Sequence, residues 1–328
     1  MTILVTGATG FVGSAVARLL IAQGQKVRLL LRPHSNRRNA ANLDAEFVEG
    51  SLEDHLSLEK AVAGCQGLFH VAADYRLWVP DPAAMYRANV DGTVALMHAA
   101  QNAGVGRIVY TSSVATLGYH ADGRPADEMT PVQETDMIGT YKHSKFIAEQ
   151  RVRKLIADEG LPCVITHPST PIGPRDVKPT PTGRIIIDSV KGKIPAFVDT
   201  GLNVVHVDDV AMGHWLAFEK GQIGRGYVLG GDNLALADIL AMIAKEAGFA
   251  PPTIKLPRLP LYPVAATMEF IARLTNTTPL FTLDSLRMAK KKMFFSSARA
   301  ESELGYTHRP AIQAIRDALA WFRQNGYC

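Results

Sequence analysis

Residues 2–14 read TILVTGATGFVGS, and apolar residues at helical spacing continue to about position 23. TILVT is aliphatic or β-branched at successive positions, which predicts a strand over 2–6 that is buried on both faces. Glycines follow at 7, 10 and 13, spaced three apart, with the helix opening among them. A strand that passes through a glycine turn into a helix makes an anion site: the glycines let the backbone approach a pyrophosphate, and the first free amides of the helix face it. Gly7, Gly10, Phe11, Val12 and Gly13 are the expected cradle.

The same alternation continues outward. Apolar runs at 26–31, 45–50, 67–71, 107–112 and 163–167 predict strands, and the intervening segments 54–63, 83–103 and 141–159 carry helical period. Strands apolar throughout belong to a parallel sheet covered on both sides, so the expected class is α/β, a doubly wound Rossmann-type sheet. After residue 168 the rhythm breaks into PSTPIGPRDVKPTPTG. We expect a dinucleotide-binding domain over 1–168 and a smaller substrate lobe over 169–328, with segments that return to the sheet.

The second strand ends LLLRPHSNRR (29–38). At that place in a dinucleotide fold an acidic residue accepts hydrogen bonds from a free ribose 2′-hydroxyl, but this chain has Arg32. A guanidinium pairs with a 2′-phosphate through two hydrogen bonds, and Arg37 and Arg38 stand close enough in sequence to join it. The expected cofactor is therefore NADP, with NAD the alternative.

Tyr141 and Lys145 sit four apart where a helix opens, so both side chains face one way. A phenol beside an ammonium suits general acid/base work, because the cation stabilises the phenolate. The run TyrThrSerSer (110–113) ends the fifth strand and would present hydroxyls at the sheet's carboxyl edge.

With the glycine loop, the serine and the Tyr-x-x-x-Lys in this order, the chain resembles an extended short-chain dehydrogenase/reductase over essentially all of its 328 residues. The resemblance implies that Ser113 orients the substrate oxygen, Tyr141 transfers the proton, and Lys145 tunes Tyr141 and holds the nicotinamide ribose. It places Val71, Ala72 and Ala73 beneath the cofactor, Thr111 and Pro168 beside it, and makes Asn89 structural. It departs at Ser51-Leu52, where the family has Asp-Leu on the adenine. The stretches 70–82, 167–186 and 201–211 are similar to the bacterial hopanoid-associated sugar epimerase family, itself similar to dihydroflavonol 4-reductases. That implies a sugar-like substrate linked to hopanoid side-chain assembly. Net carbonyl or lactol reduction is the expected reaction, against epimerisation or dehydration with a retained cofactor, or a non-catalytic dinucleotide sensor.

Asp74, Tyr75, Arg76, Trp78, Arg175 and Arg184 are candidate substrate-pocket residues, while His206 and Asp208 are expected to brace the lobe. Hydrophobic residues make up 47% of the chain, enough for a large core. The +4 net charge comes from 35 basic and 31 acidic residues too evenly mixed for a nucleic-acid surface. Three cysteines without metal or paired spacing argue for free thiols, and no metal is expected. The N-terminus has no signal-peptide pattern, so a cytoplasmic location is expected; a homodimer is the expected assembly. LPLYPVAATMEFIARL (259–274) is too interrupted to span a bilayer, leaving a lobe helix or a transient membrane-docking segment. Lys290–Lys292 reads as a solvated helix face.

Overall fold

The computed structural model describes residues 1–76, 79, 81–275 and 282–328. The first half runs β1 (Thr2–Thr6), α1 (Phe11–Ala22), β2 (Lys26–Leu31), β3 (Glu46–Glu49), α2 (His55–Val62), β4 (Gly67–His70), α3 (Pro82–Tyr86), α4 (Gly92–Asn102), β5 (Arg107–Thr111), α5 (Gly139–Glu159) and β6 (Cys163–Pro168). The second runs β7 (Thr170–Ile172), α6 (Pro181–Val190), β8 (Ala196–Val198), β9 (Gly201–His206), α7 (Val207–Lys220), β10 (Gly226–Leu229), β11 (Asp232–Ala235), α8 (Leu236–Ala247), β12 (Ile254–Leu256), α9 (Leu261–Thr275), α10 (Leu283–Met288), β13 (Lys292–Met293), α11 (Ala298–Leu304) and α12 (Ala311–Gln324).

Seven parallel strands form one sheet in the order β10-β6-β5-β4-β1-β2-β3. Alternate residues of its strands point to opposite faces, and both faces are dry. Leu4, Leu30, Leu68, Ile108, Tyr110 and Ile165 pack beneath α2, α4 and α5. Ile3, Val5, Leu29, Phe69 and Val109 pack beneath α1 and α7. Two covered faces explain why the inner strands read as apolar runs, while the edge strand β3 (EFVE) is largely exposed.

After β6 the chain builds a second small sheet, in which β9 pairs with β11 antiparallel and with β7 and β13 in parallel. It then returns to the large sheet, where β10 pairs with β6. The expected helix over 83–103 is present from Pro82 to Asn102, with a π-helical turn at Arg87–Asp91 joining α3 to α4. Lys290–Lys292 is not a helix face, since α10 ends at Met288, Lys292 opens β13, and Lys291 lies over the Tyr119 ring at 5.1 Å.

Candidate active site

The carboxyl ends of β1, β2, β4, β5 and β6 meet along one edge of the sheet, where ligands of such folds sit. At the end of β1, Gly7 has φ +76°, a conformation that favours glycine, and a Cβ there would stand 2.7 Å from the Ala72 nitrogen. A Cβ at Gly13 would collide with the Gly7 carbonyl, so the helix presses directly on the turn. Gly10 caps α1 with no side-chain hydrogen bond, leaving the cap to the backbone. Gly7 and Gly13 have no space for side chains and the helix start is uncapped, which fits a phosphate-bearing dinucleotide. The segment after β4 closes the other wall: the Ala72 nitrogen donates to Thr6 Oγ1 at 3.1 Å, bringing Val71 and Ala72 against the loop.

Behind the loop stands Asn39, a buried residue that the sequence reading missed. Its Nδ2 donates to the carbonyls of Thr9 (3.4 Å), Gly10 (3.5 Å) and Arg175 (3.1 Å). The three basic residues beyond β2 have separate settings. Arg32 is exposed and makes no side-chain hydrogen bond or ion pair among the described residues. Arg37 pairs with Glu49 at 2.8 Å. Arg38 is turned away, donating to Asn325 Oδ1 at 2.5 Å with its guanidinium 5.9 Å from the Trp321 ring centroid. Ser51 is engaged locally, its Oγ accepting from Glu53 N at 3.3 Å, and Leu52 packs against Gly92.

Ser113, Tyr141 and Lys145 converge. Ser113 Oγ accepts from Ala115 N at 3.1 Å and is hydrogen-bonded to the Tyr141 phenol. Burial raises the phenol above its ordinary pKa, and the Ser113 bond pulls it partly back. Lys145 donates to the Thr111 carbonyl (2.8 Å) and the Tyr110 hydroxyl (3.1 Å). Burial pushes its ammonium down to about 7, against the attraction of Glu149. Its ammonium is held by Thr111 and Tyr110, and burial is what keeps Tyr141 above its ordinary value. The Thr111 hydroxyl bonds His214 Nε2 at 2.9 Å.

Glu149 extends the same face of α5 by one more turn. Its carboxylate accepts from Ser112 Oγ (2.6 Å), Thr116 Oγ1 (2.8 Å) and Arg153 Nε (2.9 Å), and shares a 3.0 Å bond with His167 Nε2. Burial alone would raise this acid, but His167, Arg153 and Ser112 hold it well below its ordinary range. Since Ser112 and Thr116 flank Ser113, Glu149 is a positioning residue for the serine's loop. The signal was legible as Tyr141, Lys145 and Glu149 at four-residue intervals. His70 bridges Thr6 Oγ1 (2.8 Å) and Thr93 Oγ1 (2.9 Å), and burial followed by the Lys145 charge pushes it down to about 3, so it is neutral.

Asn89 clasps the segment after β4. Its Oδ1 accepts from Asp74 N (2.7 Å), and its Nδ2 donates to Asp74 O (2.9 Å) and Ser144 Oγ (3.0 Å). The π turn delivers it there. Burial tends to raise Asp74, but its Arg76 partner at 2.5 Å and the charge of Arg32 hold it below its ordinary value. Tyr75 and the exposed Arg184 both lie within electrostatic reach of Asp176. Burial raises Asp176 to about 6 although it accepts from Thr180 N and Oγ1, both at 2.8 Å. Arg175 has φ +74° and turns its guanidinium to Asp208, away from this group. Pro168 ends β6 beside Leu229. Trp78 lies outside the described residues. His206 caps α7 and bonds Asp317 of α12 at 3.2 Å. Among the described residues, no three His, Cys, Asp or Glu side chains are placed to hold a metal.

A glycine cradle at the edge of a parallel sheet, facing a Ser-Tyr-Lys set, defines a nicotinamide-dependent oxidoreductase of the extended short-chain type. The chain belongs to the NAD dependent epimerase/dehydratase family, whose model matches residues 3–230. It is 44% identical to a Synechocystis sp. protein with a dihydroflavonol 4-reductase name, over 98% of this chain and 95% of the relative. It is 33% identical to sterol demethylase protein B of Methylococcus capsulatus, over 99% of each. It is 31% identical to a Stigmatella aurantiaca ketoreductase named for a 3-oxo-4-farnesyl-dihydroquinoline oxide, over 97% of this chain and 96% of the relative. A solved structure, described as the crystal structure of gox2253, is 56% identical with a TM-score of 0.90 and covers 100% of this chain and 99% of its own.

Proposed function

We propose that the protein uses NADP(H) to reduce a carbonyl or lactol on the sugar-like polar head of a hydrophobic, hopanoid-linked substrate, and that it works as a cytoplasmic homodimer. Arg32 carries the cofactor preference: just past β2 it makes no side-chain hydrogen bond or ion pair among the described residues, where an acid would repel a 2′-phosphate. In this superfamily NADP-binding members more often serve net reduction, whereas epimerases and dehydratases keep a tightly held NAD and return the same hydride. Relatives named for a farnesylated ketone and for a sterol support an isoprenoid-sized apolar body on the substrate.

When bound, the dinucleotide supplies the hydride. Gly7, Gly10 and the amides of Phe11, Val12 and Gly13 hold its pyrophosphate, and Arg32 holds its 2′-phosphate. Ser113 donates to the carbonyl oxygen and Tyr141 gives that oxygen its proton, so the product is an alcohol. Lys145 holds the nicotinamide ribose, and its charge stabilises the phenolate left on Tyr141. This intact Ser113, Tyr141 and Lys145 set supports turnover over a sensing role.

The test is deuteride transfer from labelled NADPH under multiple turnover with sugar-like aldehydes, ketones and hopanoid lactols. Stoichiometric label in a reduced product is expected. A product isomeric with its substrate, formed without NADPH consumption, overturns the assignment in favour of an epimerase with retained cofactor. Light scattering tests the dimer.

A further inference from the structure

α9 shows an apolar face to solvent. Along it Pro263, Val264, Thr267, Phe270 and Ile271 recur at spacings of three and four, one stripe of a helix. Phe270 is 64% exposed, and Val264 and Ile271 are exposed with it. The buried residues Ala265 and Ala272 lie on the opposite side, so the helix is seated in the lobe with a large apolar stripe left outside. Leu259, 82% exposed, stands in the turn that leads into the helix, and Ile254 of β12 is exposed just before it. Several exposed large apolar side chains gathered in one short region mark an interaction surface.

The charge around this corner states what the surface meets. Residues 254–293 hold seven basic and two acidic residues, a net of +5, and Asp199, paired with Lys255 at 2.8 Å beside β12, brings the corner to +4 (+5 − 1). Both acids within 254–293 are occupied: Glu269 accepts from the Leu283 nitrogen at 2.7 Å, and Asp284 pairs with Arg287 at 3.1 Å. The cations belong to the same corner, because Arg258, in the turn before α9, donates to the Ala289 carbonyl at 2.9 Å. Lys290 follows directly, exposed and without an ion pair among the described residues, and Lys292 is exposed beyond it.

We propose that this corner, β12, α9 and the 287–292 turn, docks on an anionic bilayer surface, with the α9 stripe among the headgroups and Lys290 and Lys292 on their phosphates. No helix among the described residues is long and apolar enough to cross a membrane, so the contact is interfacial. A second copy of the chain is the poorer occupant, since a two-fold contact through this face would press the same cations against one another. The surface goes beyond the proposed reaction and holds whichever way the hydride moves.

The test is sedimentation of the full chain with phosphatidylcholine vesicles, with and without phosphatidylglycerol. Binding to the anionic vesicles, released by salt, is expected. Phe270→Ser combined with Ile271→Ser should cut binding about ten-fold or more. Lys290→Glu with Lys292→Glu, both exposed, should do the same without disturbing the fold. NADPH affinity and thermal unfolding of the variants should match the wild type. Equal binding to neutral vesicles, no binding to either, or full binding by both variants overturns the proposal. So does an α9 variant that turns a dimer into a monomer while the wild type ignores vesicles.

Discussion

Replacing Arg32 with alanine tests the cofactor assignment. Of the three basic side chains beyond β2, Arg37 is held by Glu49 at 2.8 Å and Arg38 by Asn325 at 2.5 Å, so the 2′-phosphate relies chiefly on Arg32. A charge-assisted hydrogen bond contributes about 1.5–3 kcal/mol, which corresponds to roughly ten- to a hundred-and-fifty-fold in affinity. Because Arg32 is exposed, solvent and salt screen the pair, and the lower end of that range applies at physiological ionic strength. Arg32→Ala should therefore weaken NADPH about ten-fold or more by titration calorimetry and leave NADH within about two-fold, with the gap widening at low salt. Glu49→Gln should free Arg37 and recover part of the loss in the double variant. Equal weakening of NADPH and NADH, or wild-type protein that binds both alike, would refute the reasoning.

Tyr141→Phe should lower turnover about a hundred- to ten-thousand-fold while NADPH affinity and the melting temperature are kept. Glu149→Ala leaves Arg153 and His167 without their shared carboxylate and should cost about 3–5 kcal/mol in denaturant unfolding. The Glu149 pKa is depressed from 4.5, so its stabilisation is present above 4.5 and lost as pH falls through the folded value; Glu149→Gln should flatten that acid limb. Lys145 is lowered from 10.5 to about 7, so the unfolded chain binds the extra proton between these values and stability rises with pH across that window. Lys145→Met should remove this slope and raise the melting temperature near neutral pH while activity falls; an unchanged or lower melting temperature counts against a desolvated ammonium.

Five strands and the glycine turn were legible because a strand covered on both faces cannot hide its apolar run, and the exposed edge strand β3 was legible by its Phe47 and Val48 between glutamates. The π turn was not, since 83–103 keeps a helical period throughout and only the bonds of Asn89 to Asp74 show where the extra residue is inserted. Asn39 escaped because its partners are carbonyls of two distant loops, and a carbonyl leaves no mark on a sequence. Arg38 sits in the predicted cluster, yet Trp321 and Asn325, some three hundred residues away along the chain, draw it aside. The Lys290–Lys292 reading failed for a related reason: β13 is two residues long and is set by β9 rather than by its own pattern.

The strand β10 lies at the edge of the large sheet and α7 covers one of its faces, although both come from the second half of the chain. A ribosome therefore releases β1 to β6 well before the pieces that finish their sheet. Until about residue 229 has emerged, β6 is a bare edge and the apolar side beneath α7 is open to water. The nascent chain is most exposed to misassembly in that interval. A fragment ending at 168 should aggregate where one that reaches the end of β10 stays in solution.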